Sequence, residues 1–226
     1  MKWFRNLKIK AKLLIGFILI AIITGVVGVI GISSILTISE NNNFMYEKMT
    51  VGIVDIAKFD KAFANVVIYL RDAIKAETPS DIQKNLELVR QAKEDIQHDI
   101  DLVEETTFTD EGRELIKTIK NAQAKNITYI NTVSDLAAAN KDSEAEQVLY
   151  GIDMTSSMEE EQKAVDQLAQ LKEDIARESA AENSASARVS STMMIIVSVE
   201  GRSCAKGKKK SIKSRAGKCT NKSERQ

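Results

Sequence analysis

The chain has 226 residues, with 32 Lys and Arg against 32 Asp and Glu, one His and two Cys. A single Pro, 10 Gly and 5% aromatic residues argue against a β-sandwich, which needs many turns and aromatic or β-branched strands; the abundance of Ala, Glu, Lys, Ile, Leu and Gln points to long helices. The net charge of zero hides a partition: residues 1–12 carry five basic and no acidic groups, residues 201–226 carry ten basic groups and one acid, and residues 40–200 are left with a net −14.

The first element is an uncharged run of 27 residues, Leu13 to Ser39. As a helix it spans about 40 Å, more than the hydrocarbon thickness of a bilayer. It is nearly twice the length of a signal-peptide core and has no A-x-A cleavage pattern after it, so it reads as a retained membrane anchor. Lys2, Arg5, Lys8, Lys10 and Lys12 precede it and Glu40 follows. The positive-inside bias then places the N-terminus in the cytoplasm and the acidic section outside. Ala21 and Gly25, one turn apart, would let two such helices meet in the membrane.

No breaker separates Ser39 from the next stretch, so the helix is expected to run on into water. Met49, Ile53, Ile56, Phe63, Val67, Leu70 and Ile74 form a heptad seam with Asp60 at its missing position. Pro79 disfavours helical backbone at Thr78, and the TPSD text supplies the cap of a second helix. Its seam is Ile82, Leu86, Val89, Ile96, Ile100 and Val103, with Lys93 in the gap. A third helix begins at Thr109 or Asp110 and carries Ile116, Ile119, Ile130, Val133 and Ala137, with Gln123 and Asn126 in mid-seam. After a corner at residues 139–143, a fourth helix has the weaker seam Val148, Ile152, Met158, Val165, Leu168 and Ile175.

The expected fold is therefore all-α: a membrane-anchored, antiparallel, up-down-up-down four-helix bundle. Its parts are a basic cytoplasmic N-terminus (1–12), a first transmembrane helix (13–39), an external bundle (40–188), a partial second transmembrane helix (189–199) and a basic tail (200–226). Val189 to Val199 is 11 residues with four Ser or Thr, well short of a full span, and the tail has one large aliphatic residue, so it is expected to lack structure.

Little in the chain suits catalysis, and no enzyme activity and no cofactor are expected. His98 stands among Asp95, Asp99 and Asp101 on a surface face, and Glu159, Glu160 and Glu161 read as the polar face of a helix. Cys204 and Cys219, without a nearby His, do not make a metal site. The Lys206 to Arg215 cluster would suit anionic lipid or nucleic acid if the tail has a role of its own. Asp60 and Lys93, placed at matching heights on antiparallel helices, are expected to pair and fix register. Arg71, at the flank of the first seam beside Asp72, is the candidate ligand-binding residue.

The opening MKWFRNLKIKAKLLIGFILIAIITGVVGV, the helix with FDKAFANVVIYLRDAIKAETP and the last helix through ESAAENSASARVSSTMMIIVSV resemble the N-terminal half of bacterial methyl-accepting chemotaxis proteins with a four-helix-bundle sensor. The resemblance implies an inner-membrane receptor, a homodimer, whose external bundle binds a small molecule and passes the signal across the bilayer. In the aspartate and serine receptors, arginines at about the level of Arg71 meet the ligand's carboxylate. The same sensor also stands before histidine kinases and cyclic-dinucleotide enzymes, and a purely structural anchored bundle uses the same heptads. In an intact receptor a HAMP linker and a methylated hairpin that docks the chemotaxis kinase and coupling protein follow the second membrane helix. None of that text follows Val199 here, which leads to the expectation of a frameshift or truncation within that helix.

Overall fold

A computed structural model describes the backbone of residues 8–220 and the side chains of residues 8–196. Residues 1–7 of the basic N-terminus and 221–226 of the tail lie outside the described residues. The described chain is helical almost throughout: α1 (Ile9–Phe44), a π-helical turn (Met45–Thr50), α2 (Val51–Ile74), α3 (Pro79–Glu105), α4 (Asp110–Ala138), α5 (Asp142–Leu149) and α6 (Ile152–Thr220). It divides into two compact units, one of residues 42–179 and one of residues 1–41 with 180–226.

The larger unit is an antiparallel four-helix bundle in which α5 and the first part of α6 together form the fourth member. Its corners are built by local chemistry that the sequence announces. Thr78 is extended (φ −118°, ψ 144°), its hydroxyl accepts the Asp81 N–H at 3.1 Å, and Pro79 occupies the first helical position, where its missing N–H costs nothing. Thr109 caps α4 in the same way, accepting the Gly112 N–H at 3.0 Å. Asn140 closes α4 with φ 55°, a left-handed conformation that Asn tolerates better than most residues.

The α3 and α4 seams lie where the heptads place them: Ile82, Val89, Ile96, Ile100 and Val103, and Ile116, Ile119, Ile130, Val133 and Ala137, are buried, and Leu86 is half-buried against the core. The α2 face is shifted from its expected position in part: Met49, Ile56, Leu70 and Ile74 are buried where the heptad places them, and Ile53, Phe63 and Val67 are not. Gly52, Ile56, Phe59, Ala62, Val66, Leu70 and Ala73 are buried, while Phe63 packs at the edge of the core and Val67 is half-buried. Gly52, Ala62 and Ala73 share the inner face with the large Ile56, Phe59, Val66 and Leu70, while Ile53, Phe63 and Val67 flank it. Phe59 and Phe63 remain stacked at 6.4 Å across one turn.

The fourth helix is not continuous. It breaks at Tyr150 and Gly151, and the break changes the phase of the pattern. Ile152 is 80% exposed, while Leu149, Met154, Ala164, Val165 and Leu168 form the buried face. A Cβ on Gly151 would lie 2.7 Å from the Gln147 carbonyl oxygen, so the close approach of backbone at this corner requires glycine. At the other end the backbone of α6 is helical to Thr220, which differs from the unstructured tail expected after residue 200.

In the smaller unit α1 is apolar on every side and exposed on nearly every side, with Leu14 62% and Phe17 68% exposed. Such a helix is stable only in a non-aqueous surrounding. Among the described residues it is the one stretch long and apolar enough to cross a membrane, which marks it as an anchor. The later part of α6 lies against it. Ser190 donates to Ser34 at 2.7 Å, Asn41 donates to Asn183 at 2.9 Å, and Gly31 is buried beneath Met194, whose Cε would be 3.2 Å from an added Cβ. Serine pairs and a glycine contact are the packing chemistry of helices in lipid. Gly25 has open space around it within the chain.

Candidate functional site

Three polar groups interrupt the core of the larger unit. The first joins α4 to α6. Asn126 is fully buried and its Nδ2 donates to Oε2 of Glu161, itself 1% exposed. Gln123, one turn earlier on α4, is buried beside this level, and the Ser157 hydroxyl, one turn before Glu161, donates to the Ala122 carbonyl at 3.5 Å. Burial pushes the Glu161 carboxyl up to about 7; the Asn126 hydrogen bond opposes the shift and the Asp60 charge adds to it. Glu161 is thus a core residue and not part of a solvated face. The signal was in the sequence: it stands seven residues from both Met154 and Leu168, on the same stripe as both.

The second group sits where the π-helical turn meets the end of α3. Lys172, 2% exposed, donates to the Thr106 carbonyl at 2.9 Å, the Thr106 hydroxyl at 3.1 Å and the Lys48 carbonyl at 3.3 Å. Burial first, and then the Lys48 charge, lower its ammonium to about 8. A cation on the carbonyls that end a helix is favourably placed in the field of that terminus. Lys48 in turn donates to the Glu105 carbonyl at 3.1 Å. Gly52 makes room for this clamp, since a Cβ there would be 2.7 Å from Lys172 Nζ and 2.6 Å from Thr106 Oγ1.

The third lies between α2 and α3. Asp55 is buried and takes a 2.7 Å ion pair from Lys58, and Asp99 is buried nearby with its carboxyl raised chiefly by burial. Outside them, Lys58, Lys61, Ala62, Asn65, Asp95 and Asp99 line an open groove of about 330 Å³. A second groove of about 440 Å³, more apolar, runs between α2 and α6 along Phe63, Val67, Ile68 and Met158, with Asp60, Glu159 and Gln162 at its rim.

The residues singled out in the sequence are dispersed among these features. Asp60 and Lys93 do not meet. Asp60 is half-buried and accepts from Gln162 of α6 at 3.4 Å, whereas Lys93 donates to Asn131 of α4 at 2.6 Å. The partial shift of the α2 face leaves Asp60 toward α6, and Ala92, not Lys93, fills the inner position on α3. Arg71 is exposed and its contact is a 3.4 Å pair with Asp72. Gln123 and Asn126, expected in mid-seam, are both buried there.

A family model described as a four helix bundle sensory module for signal transduction matches residues 6–187. This chain belongs to that family. The match runs from the basic lead through α1 and the whole bundle to the start of the α6 segment that packs on α1, so the sensory module includes its own anchor. Its architecture is the four-helix sensor typical of methyl-accepting chemotaxis proteins. No curated protein and no solved structure matches the chain.

Proposed function

We propose that this chain is the sensory part of a chemotaxis receptor in a bacterial inner membrane, with its bundle on the outer side, where it binds a small molecule and reports across the bilayer. The observation that carries the reading is the match of the signal-transduction module to an apolar anchor and bundle in one stretch. Five basic residues before the apolar run that begins at Leu13, and the net −14 of residues 40–200 after it, support a cytoplasmic N-terminus. The α2–α3 groove, with Lys58 and Lys61 opposite Asp95 and Asp99, carries both charge signs and suits a small zwitterion. Arg71, toward the end of α2 and paired with Asp72, lies outside the lining of this groove and would serve only a carboxylate bound at the surface of that end. A ligand bound in the groove biases α2 against its neighbours, and a small axial shift of α6 is the response such a bundle permits. A homodimer is the expected assembly, and a chemotaxis kinase and coupling protein are the partners through which a receptor of this kind would report.

Thermal unfolding of the full chain in nanodiscs, screened against amino acids and small organic acids, tests ligand binding. Saturable stabilisation by one compound, lost in Lys58→Ala, is expected; no stabilisation by any would favour a structural anchor. Orientation is read separately. A cysteine introduced at exposed Glu105, with Cys204 and Cys219 replaced by Ser, should react with a membrane-impermeant maleimide in intact spheroplasts.

A further inference from the structure

Glu161 is a buried carboxyl without a cation. Among the described residues no Lys or Arg pairs with it, and its one hydrogen bond comes from the neutral Asn126 amide. Of the groups around it, α4 presents the amides Asn126 and Gln123, and α6 itself presents the Ser157 hydroxyl. The one other ionisable group acting on it is Asp60 of α2, a like charge. Asp60 is committed to Gln162 and lies near Asp166, so it brings no compensation.

The hydrogen-bond count is unbalanced in an informative way. Glu161 Oε1 and Asn126 Oδ1 are both buried acceptors with no donor. An ionised carboxylate cannot serve Oδ1, since it has no hydrogen to give. One proton changes this. A carboxylic acid and a carboxamide close a planar ring in which the amide N–H donates to one carboxyl oxygen and the acid O–H donates to the amide oxygen. The first half of that ring, Asn126 Nδ2 to Oε2, is already in place.

We propose that Glu161 is a proton-binding site and that external pH is a stimulus for this module, a reading that rests on the module being the sensor of an external signal. The step is a simple uptake. The Glu161 carboxylate takes one proton from solvent at Oε1 and becomes a neutral acid. The new O–H donates to Asn126 Oδ1, the Nδ2 donor stays on Oε2, and one negative charge disappears from the core. Loss of the proton restores an uncompensated charge beside Asp60, which the core cannot solvate. The packing of α4 against α6 must then loosen to admit water or to turn the Gln123 amide, whose Nε2 has no acceptor, toward Oε1. Burial sets this change at about 7, within the range an external sensor meets.

Infrared difference spectra of the full chain in nanodiscs, titrated from about pH 5 to about pH 9, read the carboxyl directly. A protonated-carboxyl band that disappears with a midpoint near neutrality is expected in the native chain and absent in Glu161→Gln. Amide protection in residues 122–126 and 157–161, taken relative to the intrinsic exchange rate at each pH, should fall across the same midpoint in the native chain and stay constant in the variant. Asp60→Asn provides a second handle, because removing the like charge that raises the carboxyl should move the midpoint downward. A carboxyl that is fully ionised at the acid end of the titration, or an exchange response unchanged in Glu161→Gln, overturns the proposal and leaves Gln123 as the structural partner of a permanent carboxylate. Should Glu161→Gln fail to fold, the downward shift in Asp60→Asn decides, and an unmoved midpoint also overturns it. A small-molecule response at fixed pH without such a titration would leave the sensor reading standing and remove only the proton.

Discussion

Glu161 and Lys172 are both held inside the bundle with shifted protonation, and their signs differ. The Glu161 carboxyl is raised from 4.5 to about 7, so the folded state binds its proton more tightly than the unfolded chain. That contribution to stability is complete below the unfolded value and is lost as pH rises through the folded one. The native chain should therefore lose on the order of 3 kcal/mol relative to Glu161→Gln between the two values and no more above them, in denaturant titrations of both proteins. Lys172 is lowered from 10.5 to about 8, so its contribution runs the other way and grows only above the folded value. Its three oxygens depend on the space at Gly52. Gly52→Ala should displace the ammonium and cost about 1–3 kcal/mol, the range for stranding a buried polar group, and chemical denaturation reads it.

At the scale of the element, caps were legible and breaks were not. Thr78, Pro79 and Thr109 end and begin helices where their side chains dictate, because an N-cap is decided within four residues. The break at Tyr150 and Gly151 is weaker in the sequence, since one glycine is tolerated inside many helices. What makes it a corner is the Gln147 carbonyl 2.7 Å from the absent Cβ. Gly151→Ala should either straighten the corner or strain it, and a loss of at least about 1 kcal/mol is expected in thermal denaturation, more than the helix propensity of Ala returns. The α6 seam departs from its heptad for the same reason at Ile152, which is exposed, while Val165 and Leu168 are buried as expected. Once the phase is reset after Gly151, Met154, Ser157, Glu161, Leu168 and Lys172 fall on one stripe, and two charged residues are drawn inside with it.

For the molecule as a whole, stability rests on the bundle core, where α2, α3, α4 and α6 all contribute fully buried side chains. Leu70 is 0% exposed at the centre of the α2 face. Leu70→Ala should cost about 2–5 kcal/mol by cavity formation, and the melting temperature of the full chain would record it. A comparable substitution at Leu14, exposed on α1, should leave the bundle's melting unchanged and act only on membrane insertion.

Sequence alone determined the class of this protein: an anchor from the length and purity of its apolar run, a helical bundle from heptads and caps, and a sensor family from the texture of all three. Those signals are local or periodic, and they survive without knowing which helix faces which. Facing was left to tertiary structure. It shifted the α2 face so that Gly52, Ala62 and Ala73 went inward, sent Asp60 and Lys93 to separate partners, and enclosed Glu161 against Asn126. Close packing decides between neighbouring positions on one helix by volume and by the partner opposite, and neither is written in the helix's own period.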